Sequence, residues 1–444
     1  MDDRLKIALK YFDENRDFMN GTVKRNIEKY RKGKAIINVT DANGKPIENV
    51  HITVKQISHE FKHGANLFML NEFENKDKND EFKKLFSGAF DLATLPLYWD
   101  TLEPEKGKPR YAKDSPRIYR RPPPDLCVEF CGKHGIEPKA HCLNYDYMRP
   151  DWVRALDVDG HKNALEKRFK ELAERYAAVI PSWEVVNEPF RWYFLEPRLS
   201  EFYYADDFIG WSFVKAKQYY PNNRLIINDN YPIEKFYGVR SAYYAAIEKL
   251  LDVRGAKLDE IGMQFHCFFR RDEEAQKALT WYNPEYLYTV FDTYARFGKK
   301  IQISEMTIPA YSDAESDEDV QAELIKNLYT LFFSHPAMDA IIYWNTVDGY
   351  AFGADKGDMS AGENVYYGGL VGFDFSKKRS YNVIKDLFDK TWRTNTECAS
   401  DGYGNAYFDG FFGDYRLTAE KDSIIKKVEI KLKSGSKNDF GIVL

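Results

Sequence analysis

Two glutamates, Glu188 and Glu305, each stand at the end of a short apolar run in the 444-residue chain. The first closes SWEVVNE at 182–188, and the second lies in KIQISEM at 300–306. Two facing carboxyl groups are what hydrolysis of a glycosidic bond needs, because one must donate a proton to the leaving oxygen while the other, ionised, attacks the sugar or activates water. In such a pair, the charge of one carboxylate raises the pKa of the other. The two glutamates are therefore candidate catalytic residues.

Polar side chains also end several of the other apolar runs. They are His141, Asn144 and Asp146 after one run, Asn187 beside Glu188, Asn228 and Asp229 after another, and Gln264 and His266 after a further one. Such groups are costly to bury unless they meet one another or a ligand. We therefore expect them to line one pocket, in which His266 holds Glu305 and the ring of Trp344 provides a floor for a sugar.

The arrangement of the runs decides whether these residues can meet. From about residue 61 to residue 393, eight apolar runs alternate with longer segments whose apolar residues recur every three or four positions. Strands that alternate with helices pair in parallel, and eight such units predict an α/β fold, a closed (β/α)8 TIM barrel with its active site at the C-terminal ends of the strands. An open doubly wound sheet is the alternative, but it favours a glycine-rich phosphate loop after the first strand, which HGANLFMLNEF at 63–73 lacks.

The segments that flank the barrel alternate polar and apolar residues with a period of two. This pattern covers residues 34–58, where DANGKP is a hairpin signal, and residues 400–444. Together they predict a small accessory β-sandwich formed by the N- and C-terminal flanking segments. The predicted domains are an N-terminal helical segment (1–33), the accessory sandwich (34–58 plus 395–444) and the catalytic barrel (59–394).

The composition narrows the class of partner. A net charge of −5 without a long run of one sign is not typical of a nucleic-acid-binding protein, and 16% aromatic residues offer flat faces for sugar rings. The five cysteines lack paired metal spacing, so we predict no zinc site and no disulfide framework, with Cys127 and Cys131 buried on one helix.

The first 33 residues contain no apolar signal core and no membrane span, which predicts a cytoplasmic protein. A secreted protein whose leader has been removed would show the same pattern.

At the candidate residues the chain resembles glycoside hydrolase family 10, the retaining endo-β-1,4-xylanases with acids on strands four and seven. WEVVNEP is similar to the family's W-D-V-V-N-E, ISEM to I-T-E-L, GMQFH to G-I-Q-G-H and IINDN to its Y-N-D-Y stretch. YWDTLEPEKGKPRY and AHCLNYDYMRPDWV resemble the segments of strands two and three. The resemblance implies that Glu188 is the acid/base and Glu305 the nucleophile. It also implies that Asn187 contacts the sugar 2-hydroxyl, with Gln264 and His266 around the nucleophile.

The chain departs from the family pattern at positions that grip sugars on the non-reducing side of the cleaved bond. Leu95 and Tyr98 replace an Asn and a Lys before Trp99, and Tyr145 and Asp146 replace W-H in strand three. At strand eight the chain adds Asn345 beside the retained Trp344. The substrate-binding residues that we predict are Asn187, His141, Gln264, His266, Trp344, Trp99, Tyr145, Asp146 and Asn228.

We therefore expect a retaining glycoside hydrolase that cleaves β-glycosidic bonds of a xylan-type plant polysaccharide or its oligosaccharides without a metal or cofactor. One alternative is a β-glycosidase of the same clan that acts on a non-xylan glycoside. The other is a non-catalytic carbohydrate-binding protein on a degenerate barrel. In each case the expected partner is a carbohydrate, with no nucleic acid and no membrane, and the sequence leaves the oligomeric state open.

Overall fold

The computed structural model describes residues 3–190, 200–205 and 207–444. Eight parallel strands close into a barrel, in which each strand pairs with the next along the chain and the last pairs with the first. These strands are β3 (Lys62–Asn66), β4 (Leu92–Pro96), β5 (Glu137–His141), β6 (Ser182–Asn187), β7 (Arg224–Asp229), β8 (Glu260–His266), β9 (Lys300–Thr307) and β10 (Met338–Tyr343). The structure thereby confirms the predicted (β/α)8 barrel.

Nearly every residue of the barrel strands is buried because one face of each strand lies inside the barrel and the other beneath the helices. Every residue of β6, for example, is buried. Helices follow the strands and surround them. The helices are α1 (Asp3–Glu14), α2 (Arg16–Phe18), α3 (Lys24–Arg31), α4 (Lys76–Ser87), α5 (Trp99–Leu102), α6 (Pro124–His134), α7 (Asp151–Arg154), α8 (Val158–Tyr176), α9 (Glu201–Ala205), α10 (Phe208–Tyr219), α11 (Tyr231–Glu234), α12 (Ala242–Asp252), α13 (Glu274–Trp281), α14 (Pro284–Ala295), α15 (Glu315–Ser334) and α16 (Arg379–Asp386).

Residue choice at the helix ends explains where several helices begin and end. Pro124 starts α6, where its missing N–H costs nothing, and Gly135 with φ of 66° ends the same helix in the left-handed region. Asp157 caps α8 by accepting a hydrogen bond from the Gly160 amide at 2.8 Å. Cys127 and Cys131 are buried on α6, as the sequence predicts.

The flanking segments form the predicted accessory β-sandwich. One sheet has the order β12-β1-β15 and the other the order β11-β2-β13-β14, and their inner faces share a separate apolar core. The strands are β1 (Lys32–Thr40), β2 (His51–Gln56), β11 (Asn395–Ala399), β12 (Asn405–Phe411), β13 (Gly413–Lys421), β14 (Ile424–Leu432) and β15 (Asp439–Val443). The domain boundaries given above stay a prediction.

The hairpin signal within residues 34–58 marks a short antiparallel turn, in which Thr40 bridges to Pro46 and the Ile47 amide donates to the Val39 carbonyl at 3.0 Å. The DANGKP turn forms, because the Gly44 and Asp41 amides bond to Asp41 and Lys45 carbonyls, but β1 and β2 do not pair with each other. The chain instead crosses from one sheet to the other, so that β1 pairs with β12 and β15 while β2 pairs with β11 and β13. Both strands thereby turn their apolar residues toward the same core.

The N-terminal helices pack on the barrel. Arg4 of α1 pairs with Glu274 at 2.9 Å and with Asp317 at 3.1 Å, and all three side chains are buried. Arg31 of α3 donates to the carbonyls of Phe333, His335 and Met338, where α15 ends and β10 begins. None of the helices within the described residues is both long and apolar enough to cross a membrane.

Candidate active site

The two candidate carboxyl groups come from the C-terminal ends of β6 and β9. Glu188 directly follows β6, its φ is 46°, and its amide donates to the Asn228 carbonyl at 2.8 Å. A positive φ is uncommon for a residue with a side chain, and it marks a strained backbone conformation. The hydrogen bond to Asn228 stabilises this conformation, which directs the carboxyl group of Glu188 into the barrel mouth. Glu305 lies within β9 and is only 3% exposed. Both side chains line one cleft of about 620 Å³.

Three side-chain amides connect the two glutamates. Asn228 Nδ2 donates to Glu305 Oε1 at 2.9 Å and to Asn187 Oδ1 at 2.8 Å. Gln264 Nε2 donates to Glu188 Oε1 at 3.1 Å and approaches Asn187 Oδ1 at 3.4 Å. Because amide N–H groups hold fixed positions around both carboxyl groups, the geometry of the pair is set before any ligand binds.

His266 supports Glu305 from the next strand. Its Nε2 lies 3.1 Å from Glu305 Oε2, and its Nδ1 lies 3.1 Å from the Thr307 hydroxyl. Burial lowers the pKa of His266 to about 4, against the opposing charges of Glu363 and Glu188, so the ring is neutral near pH 7. The tautomer that satisfies every group donates from Nε2 to Glu305 and accepts at Nδ1 from Thr307.

A buried charged network lies beneath Glu305. Glu184 is fully buried, forms an ion pair with Lys139, and bonds to Nδ1 of His141. Burial raises the pKa of Glu184, but the charges of Lys139 and His141 outweigh burial and bring it to about 2. His141 Nε2 in turn bonds to the Tyr98 hydroxyl at 2.9 Å, so the network reaches from the barrel interior to the cleft wall.

Burial raises the pKa of Glu305 well above its usual range. The negative charges of Glu184 and Glu188 add to this rise, whereas His141 and Lys139 oppose it. The carboxyl groups around Glu305 therefore bind a proton tightly. Under this condition, two neighbouring carboxyl groups take on different protonation states.

Aromatic rings line the cleft around the carboxyl groups. Trp344, directly after β10, packs edge-on against Phe68 at 5.1 Å, His141 at 5.4 Å and His266 at 5.8 Å. Tyr145 also lines the cleft, and its hydroxyl donates to Glu188 Oε2 at 2.6 Å. These rings provide apolar faces beside the polar groups, an arrangement suited to a ligand whose own faces are apolar and whose edges carry hydroxyl groups.

Most of the predicted site residues meet in this cleft, and five do not line it: Asn228, Trp99, Asp146, Asn144 and Asp229. Asn228 lies behind the cleft and acts on Asn187 and Glu305 through its amide. Trp99 is buried away from the cleft lining, where its indole donates to Glu103 at 3.1 Å and packs edge-on against Trp152. Asp146 pairs with Arg149 at 2.7 Å.

Several residues of the site escaped the sequence prediction. Lys139 and Glu184 lie in the buried parts of the neighbouring strands β5 and β6, and these two opposite charges could have been recognised as a pair. Arg120 and Arg121 also line the cleft. They come from the long segment between β4 and α6, where no periodic pattern indicates which way a side chain points.

His141, Glu184 and Glu305 bring potential metal ligands within 4.8 Å of one another. The ammonium group of Lys139 already pairs with Glu184 there, and the second nitrogen of His141 bonds to Tyr98. The Lys139 ammonium group thus provides the positive charge in this cluster, and we assign no metal to it.

A sequence model described as glycosyl hydrolase family 10 matches residues 71–387, which include both glutamates and most of the barrel. The chain belongs to glycosyl hydrolase family 10. The match begins after β3 and ends after α16, so it covers seven of the eight barrel strands and excludes the accessory sandwich.

Curated relatives are similar over more of the chain. The anti-sigma-I factor RsgI6 of Acetivibrio thermocellus is 24% identical over 419 residues, which are 93% of this chain and 47% of that protein. Endo-1,4-beta-xylanase 1 of Arabidopsis thaliana is 24% identical over 431 residues, which are 96% of this chain and 40% of that protein. The chain thus spans less than half the length of these two relatives.

Solved structures share the fold. Xylanase 10B from Thermotoga maritima superposes with a TM-score of 0.57 at 22% identity, covering 75% of this chain and 96% of that one. Xylanase 10B from Thermotoga petrophila RKU-1, solved in complex with xylobiose, gives a TM-score of 0.58 at 21% identity, covering 75% and 95%. At this level of identity, the comparison establishes the barrel architecture alone.

Proposed function

We propose that this family 10 protein is a retaining glycoside hydrolase that cleaves β-glycosidic bonds of a xylan-type plant polysaccharide or its oligosaccharides. The observation that carries the proposal is the amide-linked pair of Glu188 and Glu305 in one aromatic-lined cleft. The names of the relatives, among them plant and bacterial xylanases, support the choice of glycan.

In the first step, Glu305 attacks the anomeric carbon while Glu188 protonates the glycosidic oxygen, and a covalent glycosyl-enzyme forms. In the second step, Glu188 takes a proton from water, whose oxygen displaces Glu305 and releases the sugar with its configuration retained. Two side-chain N–H groups favour the ionised form of Glu305 through hydrogen bonds, those of Asn228 and His266.

Asn187 is placed to contact the sugar bound between the two carboxyl groups. Its Oδ1 accepts from Asn228 and Gln264, which leaves its Nδ2 group to donate to a ligand. A hydrogen bond to the sugar 2-hydroxyl that strengthens in the transition state would contribute several kcal/mol to catalysis. No step of this mechanism uses a metal or cofactor.

Proton NMR of the hydrolysis products tests the proposal directly. We expect xylo-oligosaccharides and polymeric xylan to release products whose β-anomer appears first and then mutarotates. An α-anomer appearing first would show inversion and overturn the double-displacement mechanism.

The two alternatives make different predictions. A same-clan glycosidase on another sugar is favoured by Tyr98 and Tyr145, which stand where the family pattern has other residues. It would hydrolyse aryl β-glucosides or β-galactosides faster than aryl β-xylosides and leave xylan intact. A carbohydrate-binding protein would bind glycan without hydrolysing it at high protein concentration.

A further inference from the structure

Two neighbouring arginines on the wall of the cleft are left unexplained by the mechanism. Arg120 is 5% exposed and Arg121 is 8% exposed, and both line the cleft. Their guanidinium carbons lie 5.8 Å and 5.4 Å from the centre of the Phe68 ring, so the two charged groups lie around one side chain. Arg121 also packs over Tyr98 at 4.3 Å, and Tyr98 bonds to His141. The pair is therefore adjacent to the catalytic network.

The hydrogen bonds of these arginines within the described ranges go to neutral acceptors alone. Arg120 donates to the Tyr350 carbonyl and, at 3.4 Å, to Asn345 Oδ1, while Arg121 donates to the Arg120 carbonyl at 3.0 Å. The Nε atoms of both side chains are buried and have no hydrogen-bond partner among the residues that the structure describes. Two like charges are thus held out of water with unmet donors, which costs free energy unless something else supplies the acceptors.

Two other buried arginines, Arg168 and Arg4, bond to acceptors of the chain through their guanidinium groups. Arg168 donates to the carbonyls of Leu97, Cys142 and Leu143. Arg4 forms ion pairs with Glu274 and Asp317. Burial of an arginine in this fold therefore does not by itself leave the Nε donor unmet, and the unmet Nε donors of Arg120 and Arg121 coincide with the cleft.

Glu363 is the acidic group of the cleft that most favours the charge on Arg120, after burial has lowered the pKa of that arginine. It does not reach the guanidinium, because Asn345 lies between them and donates to Glu363 Oε2 at 2.8 Å. Because the Asn345 side chain separates Glu363 from Arg120, no carboxylate neutralises Arg120 directly, and the two arginines make the cleft wall positively charged.

We propose that Arg120 and Arg121 bind the carboxylate of a uronic acid carried by the glycan substrate. A planar guanidinium matches a carboxylate with two parallel hydrogen bonds, and a second arginine adds charge that a neutral sugar cannot use. Both arginines also line an adjoining depression, together with Thr101, Tyr119 and Ala354, which gives a side group room beyond the main cleft. The inference rests on the proposed function, because it assigns a substituent to the substrate of that site.

The decisive experiment compares three substrates with the wild-type chain. They are a xylotetraose that bears a glucuronosyl group, its methyl ester, and unsubstituted xylotetraose. We expect kcat/KM for the acid to exceed that for the ester at least tenfold, and we expect most of this ratio to persist in 1 M salt because salt screens partly buried charges less than exposed ones. The ester has nearly the same shape as the acid, so the ratio isolates the charge.

Variants locate the effect. Arg121→Gln should reduce the acid-to-ester ratio at least tenfold, and Arg121→Lys should retain part of it because the charge remains without the fork geometry. Arg16→Gln removes an exposed arginine that pairs with Asp13 on the N-terminal helices and should leave the ratio unchanged. Circular dichroism establishes that each variant is folded. If Arg121→Gln does not fold, the wild-type ratio and Arg121→Lys decide.

The outcomes separate this inference from the proposed function. Equal rates on acid and ester, together with hydrolysis of xylotetraose, would overturn the inference and leave the function standing. Hydrolysis of none of the three would overturn the function, and calorimetry of the wild-type chain with the same acid and ester would then test the arginines. Binding of the acid alone would support them, and equal or absent binding would overturn them.

Discussion

Tyr145 donates its phenolic hydroxyl to Glu188 Oε2 at 2.6 Å. Gln264 holds the other oxygen of the same carboxyl group at 3.1 Å, so Glu188 is fixed in one orientation. A phenol can also accept a hydrogen bond, whereas the Asn228 amide N–H that bonds to Glu305 can only donate. The phenol can therefore keep its hydrogen bond to Glu188 whether that carboxyl group is ionised or protonated, and the mechanism uses both forms in turn.

Tyr145→Phe should lower kcat on xylo-oligosaccharides about 10- to 100-fold, because a general acid contributes only when it is correctly oriented. The loss should be much smaller on a dinitrophenyl glycoside, whose leaving group departs without a proton. Steady-state kinetics on both substrates give the comparison.

Tyr219→Phe provides the matched control. It removes the same kind of hydrogen bond, from a tyrosine hydroxyl to Glu166 at 2.9 Å, on a helix outside the cleft. It should leave both rates unchanged. Equal losses of Tyr145→Phe activity on the two substrates would mean that the hydroxyl does not serve the acid.

Asn228→Ala should reduce kcat roughly 100-fold, because this amide positions both Glu305 and Asn187 and small displacements of catalytic groups have effects of that size. Asn223→Ala removes another buried amide, which bonds to the Ala177 and Ile180 carbonyls. It should lower the melting temperature while kcat stays near the wild-type value. The prediction fails if both variants lose stability and activity in proportion.

Lys139→Met should lower the free energy of unfolding by about 3–5 kcal/mol, since it leaves the fully buried Glu184 without its ion-pair partner. Lys108→Met breaks an exposed pair with Glu105 and should barely move the unfolding midpoint. Urea denaturation of the two variants beside the wild type measures the difference. Similar midpoints for both would contradict a structural role for the buried pair.

The acid limb of kcat/KM should lie above pH 4.5. Attack needs ionised Glu305, and burial raises the pKa of that carboxyl group, so activity is lost at a higher pH than for an exposed glutamate. Rates on an aryl glycoside between about pH 3 and pH 9 test this, with circular dichroism at each pH to exclude unfolding. An acid limb below pH 4 on folded protein would be the contrary result.

The barrel and the strand-end residues of the site were predictable because each leaves a local signal. A parallel strand buried on both faces appears as an unbroken apolar run, and a polar residue at its end stands out, as Gln264 and Asn187 do. The register that brings them together follows from the closed barrel, so the strand order was enough to group them.

Other features depended on distant pairing or on loop geometry. The turn after β1 was recognised, but the sheet that each flanking strand joins is decided by residues 395–443. Trp99 lies in the YWDTLEPEKGKPRY segment that resembles the family, yet its indole is buried in the core, where it bonds to Glu103 and packs against Trp152. Arg120 has a φ of 61°, a local geometry that no periodic pattern signals.

The accessory sandwich has a consequence for how the chain tolerates cutting. β1 lies between β12 and β15, and β2 lies between β11 and β13, so each sheet interleaves strands from both ends of the sequence. The barrel is therefore an insertion within a β domain. The chain segments that lead into the barrel and out of it are held together by the same two sheets. A break near residue 394 that released the C-terminal strands would leave β1 and β2 without their pairing partners, and unpaired strand edges promote aggregation. A circular permutant that joins the two ends and opens a barrel loop would keep both sheets whole.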